Sequence, residues 1–492
     1  MNGANGVTTG RTALGPKGLP LIGNLFDAWK DPRVFFTESI RNFGDVVEFQ
    51  FGPFKYLLLN DLDAVKHVLV DHPKNYTKSR SYKGIKLLLG QGLLTSEGDF
   101  WRRQRKLAQP AFHRDKLAGF VETMARATEK MLVRWEESAT TRIDVHEEMM
   151  RLTFHIVGLT LFSTNLDENA DAVGKALAIA LPFANKYATS LLPIPPWVPT
   201  VANLRFRRAK KTMNDMVFGL IAKRRTMQTK PNDLLSMLMD VKDDAGEGMN
   251  DQQLRDEAMT MVLAGHETTA NALAWTWYLL SKHPEAARRV EREVREVLDG
   301  RAPTLDDLSK LTYTRMVIEE SMRLYPPAWA FERQAIEDDV VAGFAVPKGT
   351  LIGICPFTLH RKSEYWENPE GFDPERFTPE RVAARPRYAY LPFGGGPRFC
   401  IGSAFAMMEL QIIVAMVAQK HSLELLPGTN PALVPEVTLR PGGGIPMERK
   451  PVRDGIRMPS KRLGDPAKSQ APRAAAMSSV FNAASAGVIP TG

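Results

Sequence analysis

The 492-residue sequence predicts a mainly helical protein that carries small β-sheets. Helical periodicity starts near Gly98 and continues to about Thr164. A second, unusually long pattern runs from Asn250 to about His283, roughly thirty residues or about 50 Å at the helical rise. A third, apolar one runs from Ser403 to about His421. Strand-like alternation is confined to short stretches: Val46–Phe51 and Tyr56–Asn60, separated by Gly52 and Pro53 as a hairpin, and Leu351–Ile354.

Composition narrows the class. Apolar residues make up 44% of the chain and charged residues 24%, which is ordinary for a globular protein with a sizeable core. The two cysteines, Cys355 and Cys400, have neither zinc-site nor disulfide-framework spacing, which fits a reducing, cytoplasmic setting. No apolar leader opens the chain and no long uncharged run follows, so a soluble protein is expected, with peripheral membrane contact still open. The net charge of +8 arises half from the C-terminal tail, where six Arg or Lys face two Asp from Pro451 onward. Without an accompanying motif that charge gives no case for nucleic-acid binding.

Residues 1–13, rich in Gly, Asn and Thr, read as disordered. Gly15–Asn24, GPKGLPLIGN, reads as stiff and extended. In GDFWRRQRKL, Gly98–Leu107, Trp101 and Arg105 lie four apart on one helical face, and the residues alone describe an amphipathic helix with a solvated basic side. Leu181–Pro199 contains five prolines and little charge, and reads as an apolar loop. In the middle of the long helix stands Ala264-Gly265-His266-Glu267-Thr268-Thr269, flanked by apolar runs, so its Glu and Thr are buried and need partners or a role. Gly265 leaves room beside the helix, and a Thr hydroxyl can bond back to a carbonyl and loosen the ladder. Arg288–Glu296 is a solvated, charge-laced helix. Glu320 and Arg323 share one helix face, and Phe372–Phe377, FDPERF, follows with Arg376. His360 and Cys355 are solitary and read as structural. The chain turns to Arg, Pro, Ala and Ser after about Lys450, an expected basic, disordered tail over residues 451–492.

The most specific stretch is Phe393–Gly402, FGGGPRFCIG. Its glycines and proline make a tight loop, and Cys400 stands just before a helix N-terminus, where amide dipoles favour a thiolate. Phe393, Gly396, Arg398, Cys400 and Gly402 together resemble the haem-ligand loop of the cytochrome P450 family. Four further motifs resemble that family in the family's order: the proline-rich lead-in, W-x-x-x-R, A-G-x-[D/E]-T-T and E-x-x-R, and the resemblance covers about residues 14–450.

The resemblance implies the P450 fold, with the long helix crossing a haem b whose axial ligand is the Cys400 thiolate. It implies that Trp101, Arg105 and Arg333 reach the haem propionates, that Phe393, Arg398 and Gly402 belong to the cofactor site, and that Glu320, Arg323 and Arg376 form a buried structural network. It makes Ala264, Gly265, Glu267 and Thr268 the oxygen-activating segment, with Thr268 bonding to oxygen and Glu267 relaying protons from solvent. Trp329, Ala330 and Phe331 would line the substrate pocket, Leu181–Pro199 would form a lid over the substrate channel, and the hairpin around Pro441–Met447 would touch substrate. The implied activity is insertion of one atom of O2 into a hydrophobic substrate such as a fatty acid, terpenoid or polyketide intermediate, by a monomer. Electrons would come from a separate ferredoxin or flavodoxin and its NAD(P)H reductase, docking on the basic patch Arg102, Arg103, Lys106, Arg114 and Lys116. The alternatives are a peroxide-using P450, which typically lacks the acid–Thr pair, and a non-catalytic haem sensor or carrier, which would need no proton relay.

Overall fold

The structure is a computed structural model that describes residues 10–164, 167–190 and 192–452. Of the two expected disordered ends, residues 1–9 and 453–492 lie outside the described residues, as does the side chain of Arg114. Residues 10–13 depart from the expectation. Arg11 forms a bridge to the hairpin at Phe344, donating its N–H to the Gly343 carbonyl at 3.0 Å and stacking its guanidinium on the Phe344 ring, and Ala13 is buried.

Alternation builds the β-rich part. Val46–Phe51 pairs antiparallel with Phe54–Leu59, which pairs in parallel with Leu351–Ile354; Phe331–Ala335 and Tyr76–Lys78 complete a five-stranded sheet. Cross-strand partners share a face, as the two-residue period requires. Val46 opposite Leu59 points into one apolar cluster, and Val47 opposite Leu58 points into the other, with Phe36, Tyr56 and Trp329.

The helical core is arranged around Asp251–Lys282. Its start is fixed by a reciprocal cap: the Asn250 side chain accepts from the Gln253 N–H and the Gln253 side chain accepts from the Asn250 N–H, both at 2.9 Å. At 32 residues it is about 48 Å long. It packs against Val145–Phe162, Val201–Thr226, Thr312–Leu324 and Ser403–Lys420. Ser403–Lys420 is, among the described residues, the one helix long and apolar enough to cross a membrane; two-thirds of it is buried inside this core.

Two boundaries differ from the sequence reading. The stretch expected to be a loop from Leu181 is helical up to Thr189, as the end of Asp167–Thr189, with Pro182 inside the helix. Packing of this helix along Val201–Thr226, with Phe183 stacked on Phe206 at 4.3 Å between centroids, carries it through the breaker. The rest of the loop is tied to Val201–Thr226 by Asn203, which donates to the Pro195 and Val198 carbonyls, and leaves Leu192, Ile194 and Trp197 exposed. The last hairpin is also displaced: Ala432–Pro435 pairs with Leu439–Gly442, so its tip is at residues 436–438, and Pro446–Pro451 joins another sheet.

Candidate cofactor and oxygen site

The cysteine loop is built by backbone contacts. The Cys400 N–H donates to the Phe393 carbonyl at 3.0 Å, and Gly402 stands at the N-cap of Ser403–Lys420. Gly396 has φ +64°, and a Cβ there would lie 1.9 Å from the Leu69 carbonyl oxygen, so both conformation and space require glycine. The Phe393 ring meets Phe399 edge-on. Cys400 is accessible, yet its surroundings are protein. Burial pushes its pKa up, against the opposing pull of the Gly402 N–H and the Arg105 charge. The helix terminus alone therefore does not make a free thiolate; a bound metal displaces the thiol proton.

Behind this loop lies the charged network that the sequence placed there. Arg323 grips Glu320 through two bonds of 2.7 and 2.8 Å, with both side chains fully buried. Arg376 approaches Glu320 at 3.3 Å, and the Asp373 N–H donates to it at 2.9 Å. The other Arg323 donors meet the carbonyls of His360, Pro369 and Gly371. His360 extends the network to the loop: one ring nitrogen meets the Arg323 carbonyl and the other accepts the Leu391 N–H at 2.8 Å. Burial holds its pKa well below the ordinary value, so it serves as a neutral strut. Cys355, buried and donating to the Trp329 carbonyl, is structural as well.

A second group of side chains is strongly basic. Arg398 lies over the Trp101 ring at 3.8 Å, pairs with Glu97 at 2.5 Å and donates to the Ser96 carbonyl. Burial, together with the Arg333 and Arg398 charges, pulls the Lys78 pKa well down, and burial lowers Arg105 and brings Arg398 to about 10. Arg333 is buried and donates to the Glu332 carbonyl. Three cations (Lys78, Arg333, Arg398) thus gather about two carboxylates, Glu97 and Glu332, and Arg105 lies near Cys400. Among the described residues, no acceptor meets the Arg105 guanidinium or the Trp101 indole N–H. Unpaired, partly accessible donors and excess positive charge fit a ligand bearing two carboxylates.

The segment Ala264–Thr269 presents a stripe. In a helix whose middle is otherwise buried, Met261, Ala264, Gly265 and Thr268 are accessible, at spacings of three and four. The Thr268 hydroxyl bonds back to the Ala264 carbonyl at 2.7 Å, and the Thr269 hydroxyl to the Gly265 carbonyl at 2.8 Å. Glu267 is buried and accepts from the Thr438 hydroxyl at 2.6 Å. Thr438 in turn accepts from Asn271, whose oxygen meets His146.

The structure scatters the other expected residues. Trp329 packs among Phe36 and the sheet aromatics and donates its indole N–H to the Glu436 carbonyl at 2.9 Å. Ala330 and Phe331 pack against the two sheet clusters. The accessible residue of that turn is Ala328, which the sequence reading passed over. The basic patch is largely neutralised: Arg103 pairs with Asp243 at 2.7 Å, Lys106 with Asp244 at 2.5 Å and Arg102 with Asp99, while Lys116 is exposed. Lys78, Glu97, Asn271 and Thr438 also escaped notice, because none belongs to a local motif and Thr438 lies 171 residues from Glu267.

A family model for cytochrome P450 matches residues 14–448. The chain belongs to the cytochrome P450 family. It is 37% identical over 421 residues to a cyclooctat-9-en-7-ol 5-monooxygenase of Streptomyces melanosporofaciens, covering 85% of this chain and 91% of that one. It is 33% identical over 418 residues to a pentalenene oxygenase of Streptomyces avermitilis, covering 84% and 92%. This P450 is accordingly a haem-thiolate monooxygenase with the mainly helical P450 fold, and its cofactor is haem b. P450 monooxygenases generally draw on redox partners and O2.

Proposed function

We propose that this P450 hydroxylates or epoxidises a terpenoid-like substrate, with electrons from a separate ferredoxin or flavodoxin and its NAD(P)H reductase. The observation that carries the reading is the accessible helical stripe Met261, Ala264, Gly265 and Thr268, apolar except for one hydroxyl. Such a wall takes a hydrocarbon skeleton and offers no charge to a carboxylate. The names of the two Streptomyces relatives point the same way.

In this reading Cys400 would supply the thiolate ligand, and Trp101, Arg105, Arg333 and Arg398 would hold the propionates, with Lys78 adding charge. Bound there, a thiolate-ligated haem supplies dioxygen activation, because the sulfur pushes electron density that favours O–O cleavage. The protein's own task is to exclude water and deliver protons. Thr268 gives up its bond to the Ala264 carbonyl to donate its hydroxyl proton across the stripe. Glu267 takes up a proton relayed from solvent and passes it to Thr268, exchanging its bond with Thr438 for one reaching toward Thr268 directly or through a water. Glu320, Arg323 and Arg376 hold the cysteine loop in register and take no part in proton transfer. An acidic redox partner would find Lys116 exposed and Arg102 paired with the exposed Asp99.

Titrating the haem-loaded protein with cyclic sesquiterpene and diterpene alcohols, and in parallel with fatty acids, tests the substrate class. Terpenoids should induce the low-to-high spin shift at lower concentration and yield products one oxygen heavier. A spin shift and turnover seen only with fatty acids would overturn it.

A further inference from the structure

On a different face of the β-rich part, helix Leu62–Lys66 runs into a π-helical turn, His67–Asp71, closed by the His72 N–H donating to the His67 carbonyl at 2.8 Å. In a regular helix the neighbours of His67 on its face would be Val70 and Asp71. The π-turn instead sets residues five apart over one another, and π-turns are rare and concentrate at functional sites. Here it brings the His67 and His72 rings together, 4.1 Å between centroids and 18° from parallel.

Facing these rings is Asp339, on the hairpin formed by Asp339–Val341 and Phe344–Val346. His67 Nε2 lies 3.0 Å from Asp339 Oδ2, and one ligand atom each from His67, His72 and Asp339 fall within 4.8 Å of one another. The carboxylate is held by outer partners. Tyr76 donates its hydroxyl to Oδ2 at 2.7 Å, Asn75 donates to the same oxygen at 3.3 Å, and the Val340 N–H donates to Oδ1 at 2.7 Å. A carboxylate oriented by a phenol and an amide is the arrangement by which outer partners fix a metal ligand. In this arrangement the two ring planes are near-parallel, so both imidazoles reach one ion only when the exposed His72 ring turns out of the stack.

We propose that His67, His72 and Asp339 form a binding site for a divalent transition-metal ion of the zinc, cobalt or nickel class, separate from the haem site. The 3.0 Å span from His67 Nε2 to Asp339 Oδ2 subtends about 90° at an ion about 2.1 Å from each atom. That angle suits five- or six-coordinate binding with water in the remaining positions, and two imidazoles with one carboxylate suit ions of this class better than calcium or magnesium. The ion takes the place of the hydrogen that joins His67 to Asp339, and the neutral imidazole then carries its proton on Nδ1. The site ties the π-turn to the hairpin, and the carbonyl of Leu69 in that turn is the group that presses on Gly396 of the cysteine loop.

The test uses tag-free, haem-loaded protein, with cobalt(II) absorption and zinc titration calorimetry on wild type and His72→Ala. Wild type should take up one equivalent and gain thermal stability with zinc. His72→Ala, altered at an exposed side chain, should keep its haem spectrum but bind about tenfold or more weakly and lose the zinc-dependent stabilisation. Equal binding by the two proteins, or no uptake by wild type at millimolar metal, would overturn the proposal.

Discussion

The Glu267 carboxylate accepts a 2.6 Å hydrogen bond from Thr438, a residue on the last hairpin, while the neighbouring Thr268 hydroxyl is engaged with the Ala264 carbonyl. Behind Thr438 the donors all run one way: His146 Nε2 to Asn271 at 2.9 Å, Asn271 to Thr438 at 3.0 Å, Thr438 to Glu267. Glu267 is thus aimed by a train that ends at a half-buried histidine. Thr438→Val removes the donor and leaves a buried carboxylate without it. Thr438→Val should keep the haem spectrum and divert more reducing equivalents into hydrogen peroxide, as should Thr268→Ala. Unchanged product per NAD(P)H consumed in both variants would assign proton delivery to other groups.

Stability has a distinct centre in Glu320 and Arg323. Arg323→Met leaves the buried Glu320 carboxylate with only Arg376 and the Asp373 N–H, and the His360, Pro369 and Gly371 carbonyls without their donor; it should cost roughly 3 to 5 kcal/mol, with lowered haem content through the His360–Leu391 link. Denaturation midpoints and haem-to-protein ratios measure both effects. A variant as stable as wild type would show that the network is dispensable.

Gly394 and Gly396 provide a matched pair. Both have positive φ, +72° and +64°, but a Cβ at Gly394 meets nothing within 4 Å, whereas one at Gly396 collides with the Leu69 carbonyl. Gly394→Ala should cost only the left-handed penalty of about 1 kcal/mol. Gly396→Ala should cost more and reduce haem retention. Equal costs would mean that the Leu69 contact yields easily.

The pH dependence of stability has an identifiable contributor in Glu257, which is buried with one oxygen accepting the Leu93 N–H and the other unpartnered. Burial raises its pKa from 4.5 to about 8. A carboxyl whose folded pKa lies above its unfolded value stabilises fully below pH 4.5 and loses that contribution as pH rises toward about 8. Glu257→Gln should therefore be neutral or slightly destabilising near pH 4 and stabilising by a few kcal/mol near pH 8, read by chemical denaturation at both pH values. A pH-independent difference would contradict the buried-acid account.

What the sequence made legible was what is local. The Cys400 loop, the helix-spaced Glu320 and Arg323, and the length of Asp251–Lys282 follow from spacing and residue type, and the structure places them as read. Pairings across the chain were not legible. Nothing near Glu267 announces Thr438, and nothing near Arg103 and Lys106 announces Asp243 and Asp244, so an apparent basic patch is largely compensated. The resemblance makes Trp329 a pocket wall, but in the turn before strand Phe331–Ala335 its ring packs against Phe36 in the sheet core and leaves Ala328 accessible. Pro182 shows tertiary packing overriding a breaker.

The central claim is thiolate ligation of the haem by Cys400, and the absorption spectrum of the reduced, carbon monoxide-bound protein tests it most directly. Wild type should show a strongly red-shifted Soret band that disappears in Cys400→Ser. A Soret band at the ordinary histidine-haem position in fresh wild type, or a red-shifted band that survives the substitution, would contradict it.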